Sequence, residues 1–275
     1  MAACRTFRLR YEQRVANEAK LHIERQGAGP ALVLAHGFGG SARNFRPQAR
    51  AFAQRVQTTL YDARGHARSE APSDVAAYTA TALKDDFGRV ALETGAASIV
   101  AGGLSLGAYT ALLYALQEPS RVRGLILAAF PSPGAPPRRR WALGFADAIE
   151  QRGLEAAGAE YVWDEASRFD PKAAALIRQG FLEHNPTALA SILRQVLADL
   201  PEPGLLKQQL AALAIPTLVV VGSEDAESLA PCQALAELIP NAELVIVPGA
   251  GHVVNLADPT RFNQALASFF DKILL

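Results

Sequence analysis

The chain has 275 residues, 27 basic and 27 acidic, so its formal net charge is zero, and half of its residues are hydrophobic. That length suits one large α/β domain or two small ones, and the apolar share is enough for a sizeable core. Charge balance gives no electrostatic reason to expect nucleic acid or a membrane surface as a partner; no stretch approaches the ~20 apolar residues of a membrane span, and the charged residues 1–14 lack a secretory h-region, which points to the cytoplasm.

In chain order, short apolar runs alternate with helix-like segments, the rhythm of a mostly parallel sheet covered by helices. Strands are predicted over 21–25 and 31–35, joined by a turn at Gly27-Ala28-Gly29-Pro30. The second strand runs into His36-Gly37-Phe38-Gly39-Gly40. A third strand is predicted over 58–62. A helix over 78–92 places Leu83, Phe87 and Val90 at helical spacing, with Gly95 placed to end it. A fourth strand over 98–101 leads into Gly103-Leu104-Ser105-Leu106-Gly107 and a helix over 108–116.

A fifth strand is predicted over 124–130, and there the rhythm breaks. Pro131-Ser132-Pro133-Gly134-Ala135-Pro136-Pro137 is followed by Arg138, Arg139 and Arg140. Helix-like pieces over 141–151, 154–163, 171–184 and 186–200 end at Pro201-Glu202-Pro203-Gly204. A Pro/Gly-bounded helical insertion inside an α/β chain has the character of a lid. The βα pattern then resumes with strands over 217–221 and 243–247 and a helix over 259–274.

The chemistry-bearing residues stand at the ends of predicted strands. G-x-S-x-G between a strand and a helix is the nucleophile elbow, a turn so tight that only small residues fit beside the serine. The glycine-rich turn after residue 35 lets backbone N–H groups approach a developing oxyanion. Phe38 and Leu106 are the candidate donors. For His36 the plainer role is to brace that turn. Glu224 and Asp225 are adjacent carboxylates after the sixth strand, and spacing does not choose between them as partner of a histidine. His252, in Gly249-Ala250-Gly251-His252, is the candidate general base. His22, His66 and His184 have no metal-ligand spacing with one another or with Cys4 and Cys232, and the two cysteines form no disulfide framework, so neither a metal nor a cofactor is expected.

These motifs resemble the α/β-hydrolase superfamily over essentially the whole chain. The resemblance rests on His36-Gly37-Phe38-Gly39-Gly40, Asp62-Ala63-Arg64-Gly65-His66-Ala67-Arg68-Ser69, Gly103-Leu104-Ser105-Leu106-Gly107 and Gly249-Ala250-Gly251-His252. It implies a mostly parallel, twisted sheet flanked by helices, with a core of residues 1–130 and 207–275 and a helical cap of 131–206. It also implies Asp225 as the acid, the fourth residue of a G-x-x-D turn, giving a Ser105–His252–Asp225 triad. Two departures stand out. Ala67 replaces a glycine usual in the second motif, so a local backbone adjustment is expected. Leu104 stands where C–C bond hydrolases carry Asn.

The branch most similar contains small capped esterases, enol-lactonases and cofactor-free haloperoxidases. The expected substrate is a small ester or lactone cleaved through an acyl-enzyme. The alternatives are perhydrolysis, C–C hydrolysis or a lyase reaction on the same triad, or a ligand receptor on the same fold. The candidate pocket residues are Phe38, Leu104, Trp141, Phe145 and Trp163, with Phe169 and Phe181 as further apolar candidates. Lid aromatics more commonly pack than contact substrate. The arginine run either binds a substrate carboxylate or forms a solvated face.

Overall fold

The structure is a computed structural model that describes residues 19–131, 136–163, 171–201 and 203–274. The N-terminal stretch with Cys4, residues 132–135 of the Pro/Gly run, and Phe169 lie outside the described residues.

Seven strands among the described residues form one sheet: β1 (Ile23–Gln26), β2 (Ala31–Ala35), β3 (Gln57–Tyr61), β4 (Ile99–Leu104), β5 (Val122–Ala128), β6 (Thr217–Gly222) and β7 (Ala242–Val247). Their order is β1-β3-β2-β4-β5-β6-β7. Only the pairing of β1 with β3 is antiparallel; every other neighbour pair is parallel. Strands covered by helices on both faces need apolar side chains in both directions. Accordingly β2, β4 and β6 are buried at every position.

The helices are α1 (Arg46–Ala51), α2 (Ala80–Glu93), α3 (Leu106–Gln117), α4 (Pro136–Gly158), α5 (Pro171–Phe181), α6 (Pro186–Gln195), α7 (Lys207–Ala211), α8 (Ala226–Leu238), α9 (Val254–Ala257) and α10 (Pro259–Ile273). Their ends follow capping chemistry. The Thr79 hydroxyl accepts the Ala82 N–H to start α2, and Gly95, at φ +71°, lies just past its end. Asp258 accepts the Arg261 N–H at the start of α10. The buried stripes of α2 and α3 join one core, which holds Phe87, Leu112 and Tyr114. Phe52, Phe262 and Phe270 belong to the second core. Among the described residues no helix is long and apolar enough to cross a membrane.

Several boundaries differ from the sequence expectation, among them the fifth strand, at Val122–Ala128 rather than 124–130, and three of them have a clear local reason. β1 starts at Ile23 rather than 21, because the N–H groups of Lys20 and His22 are taken by the side chains of Glu70 and Ser69. β4 runs on to Leu104 rather than stopping at 101, because Gly102 and Gly103 fit between crowded neighbours. A Cβ on Gly102 would fall 2.7 Å from the Ile126 Cβ. α4 begins at Pro136, in the first turn where proline loses no hydrogen bond, and runs to Gly158, with a kink at Gly153, φ +79°. The helices α4, α5 and α6 all lie between β5 and β6, and Phe145, Ile149, Leu189 and Ile192 merge with the first core.

Candidate active site

The parallel strands bring the candidate residues to one edge of the sheet. His36 follows β2, Asp62 follows β3, Ser105 follows β4, Asp225 follows β6, and His252 lies beyond β7. The carboxyl ends of such strands are where α/β sites form.

Ser105 has φ +54° and ψ −117°, a conformation that costs an L-residue about 1–3 kcal/mol. Its N–H is held by the Ala128 carbonyl at 2.9 Å, and its carbonyl accepts from Tyr109 at 3.0 Å. The strain is over-determined by sterics on both sides. A Cβ on Gly107 would lie 2.1 Å from the Ala35 oxygen, and one on Gly37 would lie 2.9 Å from the Leu104 Cδ2 and 3.3 Å from the Leu104 oxygen, just before the serine. The glycine-rich turn after β2 therefore presses directly on the elbow.

Asp225 caps α8 by accepting the Ser228 N–H on Oδ1 at 3.2 Å. Its Oδ2 lies 2.8 Å from His252 Nδ1. The Asp225 side chain is 5 % exposed and that of His252 45 %. Burial alone would raise the Asp225 carboxyl, but the His252 hydrogen bond and charge, with help from Ser228, hold it below the usual range. The ionised carboxylate accepts, so His252 carries its proton on Nδ1 and keeps Nε2 for chemistry. Glu224 is exposed and accepts from the Ser223 hydroxyl, whereas the carboxylate that meets the imidazole is that of Asp225. Among the described residues no hydrogen bond joins Ser105 Oγ to His252; catalytic contacts of this kind commonly tighten only around substrate.

Two backbone donors, one in the glycine-rich turn and one at the elbow, are unspent. Among the described residues neither the Phe38 nor the Leu106 N–H donates to a protein acceptor, whereas the adjacent Gly39 N–H is taken by His66 Nε2 at 3.1 Å. Three buried histidines brace this loop. His36 Nε2 accepts the Ala63 N–H at 2.9 Å, so its Nδ1–H donates to the Gly37 carbonyl at 2.7 Å. His66 Nδ1–H donates to the Arg64 carbonyl at 3.1 Å. His184 Nδ1 accepts the Ala67 N–H at 2.7 Å, and its Nε2–H donates to the Gly39 carbonyl at 2.8 Å. Burial keeps all three imidazoles neutral: His36 lies below its ordinary value, His66 well below it, and His184 at about 4. The bracing role expected of His36 is thus shared with two rings that the sequence reading left without a task. Ala67 makes no compensating adjustment. It keeps φ +42°, the left-handed region that glycine would occupy without strain, at a cost of about 1–2 kcal/mol.

The aromatic candidates divide into groups. Phe38 contacts Phe145 edge-to-face at 5.8 Å, and Phe145 contacts Trp141 at 5.5 Å. Phe145 itself is fully buried, stacked on Tyr161 at 4.6 Å. Trp163 packs inside the insertion against Gly158 and Phe181. Leu104 belongs to the second core, with its Cδ2 against Gly37. Of the arginine run, Arg139 and Arg140 are exposed, but Arg138 is drawn in. Its guanidinium covers the Trp141 ring at 3.9 Å and pairs with Glu227 at 2.6 Å.

Residues 32–265 match a family model described as the alpha/beta hydrolase family. Over 272 residues the chain is 29% identical to a protein from Azorhizobium caulinodans that carries the name carbamate hydrolase RutD, spanning 93% of this chain and 97% of that one. It is 30% identical to the solved thermophilic esterase from Thermogutta terrifontis, with TM-score 0.84 over 94% of this chain and 96% of that one. The solved enol-lactonase from Burkholderia xenovorans shares the fold at TM-score 0.82 and 24% identity, over 93% and 98% of the two chains.

Proposed function

The chain belongs to the alpha/beta hydrolase family, and on that premise we propose that it is a serine hydrolase of small carboxylic esters or lactones, with Ser105, His252 and Asp225 as its triad. The observation that carries this reading is the strained Ser105 turn with two unspent N–H donors, Phe38 and Leu106, on the same sheet edge as His252 hydrogen-bonded to the buried Asp225.

Ser105 Oγ attacks the substrate carbonyl carbon while His252 Nε2 takes its proton. Asp225 holds the imidazole in the tautomer that leaves Nε2 free and stabilises the imidazolium. The Phe38 and Leu106 N–H groups receive the oxyanion, in a pre-formed site that needs no reorganisation as charge develops. The intermediate collapses, His252 returns its proton to the leaving alkoxide, and an acyl-enzyme remains. Water, deprotonated by His252, then releases the acid and restores Ser105. Residues 131–206 act as the cap over this site, and residues 1–130 with 207–275 as its core. Carbamates are a second substrate class, favoured by the name of the A. caulinodans relative; their carbonyl admits the same attack.

The test is steady-state hydrolysis of p-nitrophenyl acetate, butyrate and octanoate and of a p-nitrophenyl carbamate, with Ser105→Ala alongside and a fluorophosphonate to label the serine. Turnover and labelling that both vanish in Ser105→Ala support the reading. A folded wild-type chain that neither turns over nor labels sinks it. One stoichiometric burst without turnover favours a receptor instead.

A further inference from the structure

The oxyanion loop is held from two sides by parts of the chain far apart in sequence. From the sheet side, His66 accepts the Gly39 N–H at 3.1 Å. From the insertion, His184 donates to the carbonyl of the same residue at 2.8 Å. Gly39 thus has both of its peptide groups engaged by imidazoles. The His184 ring is 5 % exposed, and its second nitrogen is fixed by the Ala67 N–H at 2.7 Å, so it can neither flip nor tilt without losing a bond. Its tautomer is set by these two contacts: Nδ1 accepts, so Nε2 carries the proton.

The same turn at the end of α5 makes two more contacts with the loop. The Phe181 ring lies so close to Gly39 that a Cβ there would fall 2.6 Å from its Cδ2. Both carboxylate oxygens of Glu183 accept from Arg43 Nη1, at 2.8 and 2.7 Å, just beyond the loop. Phe38 sits between Gly37, wedged against Leu104 and Ser105, and Gly39, clamped by the two histidines. The Phe38 N–H shares one peptide plane with the Gly37 carbonyl, which accepts from His36 Nδ1–H at 2.7 Å and from the Gly40 N–H at 3.0 Å. That Gly40 N–H belongs to the same peptide as the Gly39 carbonyl held by His184, so the histidine reaches Phe38 through this second peptide.

We propose that His184 is a positioning residue: through the Gly39 carbonyl it couples the helical insertion to the oxyanion loop and aims the Phe38 N–H at the site. This rests on the preceding reading of Phe38 as an oxyanion donor. A donor matters in proportion to how well it fits the oxyanion rather than the ground-state carbonyl, so loosening the loop lowers kcat and leaves KM in place. The exposed Arg43–Glu183 pair adds little by itself. The buried, doubly bonded imidazole is the part of the contact that fixes direction.

Two substitutions separate the two bonds. In His184→Gln the amide nitrogen takes the place of Nε2 and still reaches the Gly39 carbonyl. In His184→Asn only the acceptor facing Ala67 is kept. With p-nitrophenyl butyrate, His184→Asn is expected to lower kcat roughly 10–100-fold at unchanged KM, since removing an oxyanion donor outright costs about 10²–10³. His184→Gln is expected to recover most of that loss. Hydrogen exchange of the peptide spanning 36–43 is expected to speed up in His184→Asn and to return toward the wild-type rate in His184→Gln.

Unchanged exchange in a folded His184→Asn overturns the coupling, and unchanged kcat with faster exchange overturns its catalytic consequence. Equal losses in both variants, tracking a common fall in Tm, reduce His184 to a packing residue and overturn the proposal. If the wild type turns over no ester, the hydrolase reading fails, and exchange alone still decides the coupling.

Discussion

Gly103 and Gly107 face each other across the Ser105 turn so closely that a Cβ on Gly103 would fall 2.4 Å from the Gly107 carbonyl carbon. A Cβ on Gly107 would meet the Ala35 oxygen at 2.1 Å. These obstacles are backbone atoms of the first turn of α3 and of β2, which cannot swing aside as a flexible side chain would. Gly107→Ala is therefore expected to destabilise the chain by more than about 2 kcal/mol, at the upper end of overpacking costs. Gly180, inside α5, has nothing within 4 Å of its would-be Cβ. Gly180→Ala is expected to be neutral or to stabilise by up to about 1 kcal/mol through helix propensity. Urea melts of the two variants check the pair, and similar midpoints would refute the steric account.

Asp225→Asn tests the electrostatic part of the proposed triad. The carboxylate is charged because His252 holds its pKa down against burial. An amide in its place offers either an N–H or a neutral oxygen to Nδ1, and no longer stabilises an imidazolium. The expected loss in kcat is on the order of 10⁴, with little change in KM. Steady-state kinetics on a p-nitrophenyl ester measure it, and a loss below tenfold would remove Asp225 from the mechanism.

Much of this molecule is legible from one chain because its parallel strands are buried on both faces. The 31–35 run predicted as a strand is β2 to the residue, and β6 differs only by taking in Gly222. Each site loop is also marked locally, by glycines beside a chemistry-bearing residue at the end of an apolar run. The histidine brace has no such mark. His36, His66 and His184 are scattered in sequence and bond mainly to backbone, so no spacing rule joins them. The only hints were a histidine inside an otherwise amphipathic insertion and an alanine where a glycine is usual. The same limit hid the inward turn of Arg138, because a run of three arginines does not show which one a tryptophan will cover.

Asp86 is expected to be a stability determinant outside the proposed triad. Its carboxylate takes Arg64 bidentately at 2.6 and 2.8 Å, and both side chains are only 2 % exposed. Arg64 also donates to the Ala77 carbonyl at 2.7 Å. Removing the carboxylate leaves a guanidinium buried without its counter-charge. Asp86→Ala is expected to cost about 3–5 kcal/mol. Asp86 also accepts from Arg89 at 2.5 Å, so replacing Arg64 and Asp86 together by apolar residues, Arg64→Met with Asp86→Leu, is expected to recover only the part of that cost that belongs to the Arg64 pair. Thermal or urea unfolding of the single and double variants gives the comparison. Equal losses would mean that packing rather than the buried charge dominates.

The histidine brace makes acid stability start to fail at an unusually high pH. The neutral state of His184 is favoured by burial and opposed by the charges of Asp62 and Glu183, while His36 and His66 nearby disfavour a further positive charge. Arg68 and Arg43 partner the two carboxylates and blunt their pull. The folded chain therefore binds fewer protons than the unfolded chain between the folded value of about 4 and the ordinary value of 6.5. Stability rises with pH across that window and is lost as pH falls through it. For His184 alone the loss is on the order of 3 kcal/mol, at about 1.4 kcal/mol per pH unit. His36 and His66 act in the same direction. The carboxylates Asp62 and Asp225 are lowered, so their contribution persists above 3.8 and is lost only as pH falls through their still lower folded values. Tm is expected to fall by several degrees between pH 7 and pH 5, before the carboxylates titrate, and to fall less in His184→Gln, which carries no titrating ring at that position. A Tm that stays flat over this range would show that the three imidazoles titrate alike in the folded and unfolded chains.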